Sequence, residues 1–154
     1  MGFSGMASQV IMFIAVISVT SILVVVFNGY ITDTSNSITI KNDYLVKQLK
    51  SDISIDVVSY DSSTDTTLVY VKNTGKIALR TNETDVYLNG LRVPRNETNR
   101  TIEVLSDTDS INPGTWDPKE QVLIKVYQRL NSSYSHKVII AAEYEVSDIE
   151  EFSI

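Results

Sequence analysis

His136 is the only imidazole in the chain and stands between Ser135 and Lys137, where a strand begins. General-base chemistry needs an imidazole beside a hydroxyl or thiol that a third group orients, and no such motif accompanies it. The position reads as a surface histidine. The carboxylate pairs Asp107/Asp109 and Glu150/Glu151 could hold a hard cation, but neither has the glycine-punctuated spacing of a calcium loop. Trp116 follows Pro113-Gly114. An indole there could stack on a sugar or cap the edge of a sheet, and the second is expected. The chain contains no G-x-G-x-x-G, P-loop, H-E-x-x-H or G-x-S-x-G pattern. With no Cys, disulfides, thiolate-bound zinc, iron–sulfur clusters and thiol catalysis are all excluded. No enzyme activity and no cofactor are expected. The chemistry that remains is modification: Asn82, Asn96, Asn99 and Asn131 each open an N-x-S/T acceptor sequence.

The elements that must carry these residues divide sharply by charge. Residues 1–32 hold no charged side chain. Residues 33–50 carry three Lys and two Asp; of the chain's 13 basic and 19 acidic residues, the other ten and seventeen fall in 51–154. The formal net charge of −6 is therefore a neutral head, a slightly basic connector and a body of −7. An acidic body repels phosphate backbones, so nucleic acid is not an expected partner. Disorder is not expected either, because 39 of the 104 body residues are apolar, enough for a core without staples.

Of the 21 residues 7–27, 16 are apolar. At 1.5 Å per residue they make a helix of roughly 31 Å, the thickness of a bilayer's hydrocarbon core. Ile11, Phe13, Ile14, Ile17, Ile22, Val25 and Phe27 are its expected anchor residues. A cleaved secretory signal would call for a basic start and a small-x-small cleavage site, and neither is visible. Residues 1–32 are accordingly expected to be an uncleaved single-pass anchor. Orientation draws two ways. Lys41 and Lys47 follow the span and no Lys or Arg precedes it, which alone favours a cytoplasmic C-terminus. The four acceptor sequences and the β-rich body favour the opposite, and the body is expected outside the cytoplasm.

Between Asn28 and Lys50, Ile31, Ile38, Leu45 and Leu49 line one stripe, so the connector, residues 33–50, reads as a helix continuing from the span, with Ser and Thr weakening its first half. From residue 51 the period changes to two. Strands are expected near 52–57, 67–72, 76–80, 84–88, 91–93, 101–105, 121–127 and 137–146, with an acidic solvated tail after them. Asn89-Gly90 is a strong hairpin signal. Seven or eight short strands with frequent turns predict an all-β immunoglobulin-like sandwich over 51–154, preceded by the one transmembrane helix. Its expected core is Ile53, Ile55, Leu68, Tyr70, Val86, Leu88, Val122, Ile124, Val126, Ile139 and Ala141. The short strand 76–80, carrying Ile77 and Leu79, is the expected open edge for a partner.

One hydrophobic helix running into a small exported sandwich is also the plan of archaeal flagellins and type IV-pilin-like proteins. Their precursors place a basic residue and Gly before the hydrophobic run; here no basic residue precedes Lys41, so that processing is not expected. The chain more closely resembles the accessory proteins FlaF and FlaG of the archaeal flagellum, or archaellum. Carrying the resemblance are Met1-Gly-Phe-Ser4 before the span, the connector Asp43-Tyr-Leu-Val-Lys-Gln-Leu-Lys-Ser-Asp-Ile-Ser-Ile55, Leu68-Val-Tyr-Val-Lys-Asn-Thr-Gly-Lys76, Asp85-Val-Tyr-Leu-Asn-Gly90 and Asn112-Pro-Gly-Thr-Trp116. The opening suits FlaF, and the connector and the Val-Lys-Asn-Thr-Gly stretch suit FlaG. The resemblance implies a non-enzymatic stator part at the base of the flagellum. It would be anchored in the cell membrane, joined to a FlaF/FlaG-type partner and to surface-layer (S-layer) protein, and assembled as a homo- or hetero-oligomer. The alternatives are a filament subunit of flagellin or pilin type, and a cell-surface domain binding glycan or metal.

Overall fold

In the computed structural model, which describes residues 3–154, the chain forms helix α1 (Phe3–Lys50) and then eight strands. It divides into two compact units that meet between Asp43 and Tyr44, and each is described by itself.

The first unit is helical over its described residues. Its polar residues do not interrupt it, and six of its hydroxyls are spent inside the helix. Ser18, Thr20 and Ser21 donate to the carbonyls of Ile14, Val16 and Ile17 at 2.8 Å. Thr32, Ser37 and Thr39 do the same to the carbonyls four residues earlier at 2.8–2.9 Å. The first three remove the cost of bringing a free hydroxyl into hydrocarbon. The second three explain why the connector is not frayed, contrary to the expectation from its Ser and Thr content. The helix is long and apolar enough to cross a membrane, its best window reaching a mean hydropathy of 3.0. The anchor residues Ile11, Phe13, Ile14, Ile17, Ile22, Val25 and Phe27 are all at least 49% exposed on it. Lys47 and Lys50 in its last turn complement the negative end of the helix dipole.

The second unit is a sandwich of two antiparallel sheets. Strands β1 (Ile53–Asp61), β2 (Thr66–Asn73), β6 (Gln121–Tyr127) and β5 (Arg100–Val104) form one, in the order β1-β2-β6-β5. Strands β4 (Leu91–Arg92), β3 (Asp85–Leu88), β7 (His136–Ala141) and β8 (Ser147–Phe152) form the other, in the order β4-β3-β7-β8. The hairpin between β3 and β4 turns at Asn89 and Gly90, both at positive φ (53° and 80°), which is what a two-residue loop of matching twist requires.

Several expectations about the core are corrected. Val69 and Val71 face inward, not Leu68 and Tyr70; Val138 and Ile140 face inward, not Ile139 and Ala141. Both strands carry apolar residues on both faces, so the period of two fits either register and only pairing decides it. In β1 a bulge between Ile55 and Val57 turns Val57 outward, 53% exposed. Residues 76–80 form no strand: a single bridge joins Leu79 to Trp116. The expected strand 137–146 stops at Ala141, turns through Glu143–Glu145, and returns as β8, so the acidic tail is an edge strand paired to β7.

Candidate functional site

The end of α1 is built into the sandwich by two turns. The first is residues 73–76. The N–H groups of Thr74 and Gly75 donate to the Asp52 carbonyl at 3.1 and 3.0 Å, and that of Lys76 donates to the Lys50 carbonyl at 2.7 Å. A helix leaves its last carbonyls without intrahelical donors, and here a distant turn supplies one of them. Gly75 permits the approach: a Cβ on it would lie 2.6 Å from the Asp52 nitrogen and 2.7 Å from the Lys50 oxygen. Ser51 closes the last turn from its own side, its Oγ donating to the Lys47 carbonyl at 2.8 Å.

Asn73 ties this turn to the rest of the sandwich. It is fully buried, and its Nδ2 donates to the carbonyls of Ile77 and Trp116 at 2.9 and 3.0 Å while its Oδ1 accepts from the Gly75 N–H at 3.0 Å. Its backbone exchanges bonds with Glu120 and Lys119. Trp116 is fully buried too, its Nε1 donating to the Glu120 carbonyl at 3.1 Å. The indole is therefore core and has no face for a sugar, which corrects the expectation that it caps a sheet edge.

The second turn is Glu143–Glu145. Tyr144 and Glu145 both have φ of 63°, a left-handed conformation unusual for side chains of this kind. The turn lays the Tyr144 ring against Tyr44 of α1, edge-on with centroids 5.9 Å apart, and the Lys47 ammonium lies 5.7 Å from the Tyr144 centroid. Glu143 anchors the turn from below. Its buried carboxylate accepts from the Arg80 N–H at 3.2 Å and the Arg80 guanidinium at 2.7 Å. The Arg80 bond holds the Glu143 carboxyl below the usual carboxylate range, against the opposing effect of burial.

A family model described as archaeal-type flagellin matches residues 2–152. The chain belongs to the archaeal-type flagellin family. A curated relative from Archaeoglobus fulgidus, described as an uncharacterized protein, is 34% identical over 115 residues, 71% of this chain and 70% of that one. Among solved structures the chain is similar to the archaellum periplasmic stator protein FlaG from Sulfolobus acidocaldarius, at a TM-score of 0.54 and 20% identity, over 66% of this chain and 99% of that one. It is also similar to a chain of the Sulfolobus acidocaldarius stator complex of FlaF and FlaG, at a TM-score of 0.52 and 20% identity, over 66% and 88% of the two chains. At that identity the likeness is one of fold: this member of the archaeal-type flagellin family has the immunoglobulin-like sandwich of FlaG.

The residues singled out from the sequence are scattered over that fold and do not converge on one site. Asn82, Asn96 and Asn131 are exposed, whereas Asn99 is half-buried and donates through Nδ2 to the Asn96 Oδ1 at 2.6 Å. Leu79 is 1% exposed and its N–H is held by the Trp116 carbonyl at 3.0 Å, so residues 76–80 present no open edge, which corrects that expectation. His136 is buried rather than on the surface, its Nδ1 3.0 Å from the Asn89 Nδ2, its Nε2 2.9 Å from the Asn131 carbonyl, and its ring against Phe152. Among the described residues, no three His, Asp or Glu are grouped to hold a metal. The buried acids of the 109–120 loop are used internally: Glu120 accepts from the N–H groups of Ser110 and Asp117, and Asp117 from Asn112. The joint around Asn73, Gly75 and Tyr144 was not anticipated. Asn73-Thr-Gly75 reads only as a turn, and nothing in Ala-Glu-Tyr-Glu-Val signals two left-handed residues.

Proposed function

We propose that this chain is a non-enzymatic structural part of the archaellum: a single-pass membrane protein whose sandwich lies outside the cytoplasm and links the motor to the cell envelope. Residues 7–27 are the anchor, residues 33–50 the connector, and 51–154 the load-bearing domain. A FlaF/FlaG-type protein, and through it the surface layer, is the partner this reading names. The observation that carries it is the joint. A sandwich with the fold of FlaG begins where α1 ends, and the last two turns of α1 are held against it at Lys50, Lys47 and Tyr44. A part that holds a motor against torque needs a firm point of attachment at the start of its partner-binding domain, and a loose linker there would not supply one. Deleting the gene and imaging cells tests the reading: intact filaments on cells that no longer spread in soft agar are expected, and normal spreading would refute it. With the sandwich outside, Asn82, Asn96, Asn99 and Asn131 become candidate glycan acceptors, which peptide mapping of the purified chain reads directly.

The match to the flagellin family over residues 2–152 favours a second reading, a filament subunit. Proteomics of sheared filaments separates the two, since a subunit is abundant there and a stator part stays with the membrane. Mass spectrometry of the mature N-terminus is the companion measurement: trimming at the start of the span supports the subunit.

A further inference from the structure

On the side of the sandwich where β4 and β5 end their sheets, three arginines surround one carboxylate, and two of them pair with it. Asp85 Oδ1 accepts from the Arg92 Nη2 at 2.7 Å and from the Arg95 Nε at 2.8 Å. Arg100 is left out of that pairing. It is 5% exposed, its Nη2 donates to the Thr84 carbonyl at 2.6 Å, and its buried Nη1 has no hydrogen-bond partner. Among the described residues no carboxylate forms a salt bridge with it. Burial pushes the guanidinium below arginine's ordinary value; Asp85 offsets this in part, while Arg95 and Arg92 add to it. A buried cation without a paired counter-charge is expensive, and Asp85, already taken up by Arg92 and Arg95, balances it only in part.

Arg100 borders a surface hollow of about 450 Å³ whose walls also carry Thr81, Asn82, Arg95 and Asn96. Most of these groups are hydrogen-bond donors suited to oxygen. We propose that the hollow is a carboxylate-binding site, with the Arg100 guanidinium as its anchor and Arg95, Asn82 and Asn96 completing the cradle. The planar arginine fork matches the two oxygens of a carboxylate. Glu97 and Glu103 stand on the same wall, Glu103 leaning to Lys125 at 3.8 Å, and they disfavour a doubly charged phosphate. The carboxylate comes either from a small free acid, such as a sugar acid, or from an Asp or Glu side chain of another protein chain. The site is independent of the stator reading.

Thermal unfolding of the full chain in a neutral detergent tests the proposal, with sodium acetate, sodium phosphate and sodium chloride compared at equal ionic strength and pH 7. Acetate at ten times its dissociation constant is expected to raise the unfolding temperature by about 3–6 °C over chloride, with phosphate doing less. Arg100→Lys keeps the charge but loses the fork, and is expected to lose most of that rise. Asn96→Asp places a carboxylate on the wall, and is expected to unfold at a higher temperature with no further gain from acetate. Matching acetate and chloride curves for the native chain, or an undiminished acetate effect in Arg100→Lys, would overturn the assignment. Sedimentation of the same samples separates the sources. Acetate that dissociates assembled chains identifies an acidic side chain as the occupant, and acetate that stabilises without changing particle size identifies a free acid.

Discussion

Asn73 uses its side chain fully, and the consequence of losing it follows from what each bond reaches. Asn73→Ala removes three bonds at once: the Trp116 carbonyl keeps the Leu79 N–H and the Gly75 N–H keeps the Asp52 carbonyl, but the Ile77 carbonyl loses its donor and the buried amide leaves a void. The expected cost is about 2–4 kcal/mol by chemical denaturation of the detergent-solubilised chain, with Asn73→Asp scarcely better because it supplies no donor. Glu143 gives a prediction in pH. Its folded carboxyl is held below its unfolded value by Arg80, so its contribution is fully present above the unfolded value and disappears as pH falls through the folded one. Stability measured from neutral pH downward should decline below the ordinary carboxylate range, and Glu143→Gln should make that decline shallower. Asp85, lowered chiefly by Arg95 and then Arg92, contributes in the same sense, so the slope should survive in part in that variant. None of these partnerships is written in local sequence. His136 reads as exposed beside Ser135 and Lys137, and its burial arises from Asn89, Asn131 and Phe152 across the fold.

At the scale of elements, legibility followed the strength of the local signal. The Asn89-Gly90 hairpin and the limits of β6 were readable because turn residues and alternation leave one solution. The inward faces of β2 and β7 were not, since apolar residues occupy both sides and the partner strand makes the choice. The break after Ala141 was least visible, because its two left-handed residues are Tyr and Glu where glycine would have announced the turn. That choice has a testable cost. Glu145 is exposed, so Glu145→Gly should relieve the backbone and stabilise the sandwich by about 0.5–1 kcal/mol. Tyr144→Gly relieves the same conformation but gives up the ring against Tyr44 and Lys47, and calorimetry should show no such gain. Gly75→Ala acts in the opposite direction. It drives a methyl into the backbone of Lys50 and Asp52, and a loss of about 2 kcal/mol or more is expected.

For the molecule as a whole, the boundary between anchor and domain is the point on which the mechanical reading depends. Hydropathy and periodicity place it at residue 51, where the strand pattern begins. The contacts place it earlier, between Asp43 and Tyr44, because the last turns of α1 belong with the sandwich. The two placements predict different behaviour on truncation. A chain starting at residue 44 keeps the Tyr44 ring, the Lys47 ammonium and the Lys50 carbonyl that Lys76 caps. A chain starting at residue 51 loses all three, worth together about 2–3 kcal/mol for an aromatic pair, a cation–π contact and a hydrogen bond. The shorter chain should therefore unfold roughly 8–12 °C below the longer one. Equal unfolding temperatures would mean that the helix end adds nothing to the sandwich, and that force from the membrane reaches the domain through a passive linker. A difference of the expected size would make the last two turns of α1 part of the domain that bears the load, and Tyr144→Ala in the longer chain should then reproduce part of it.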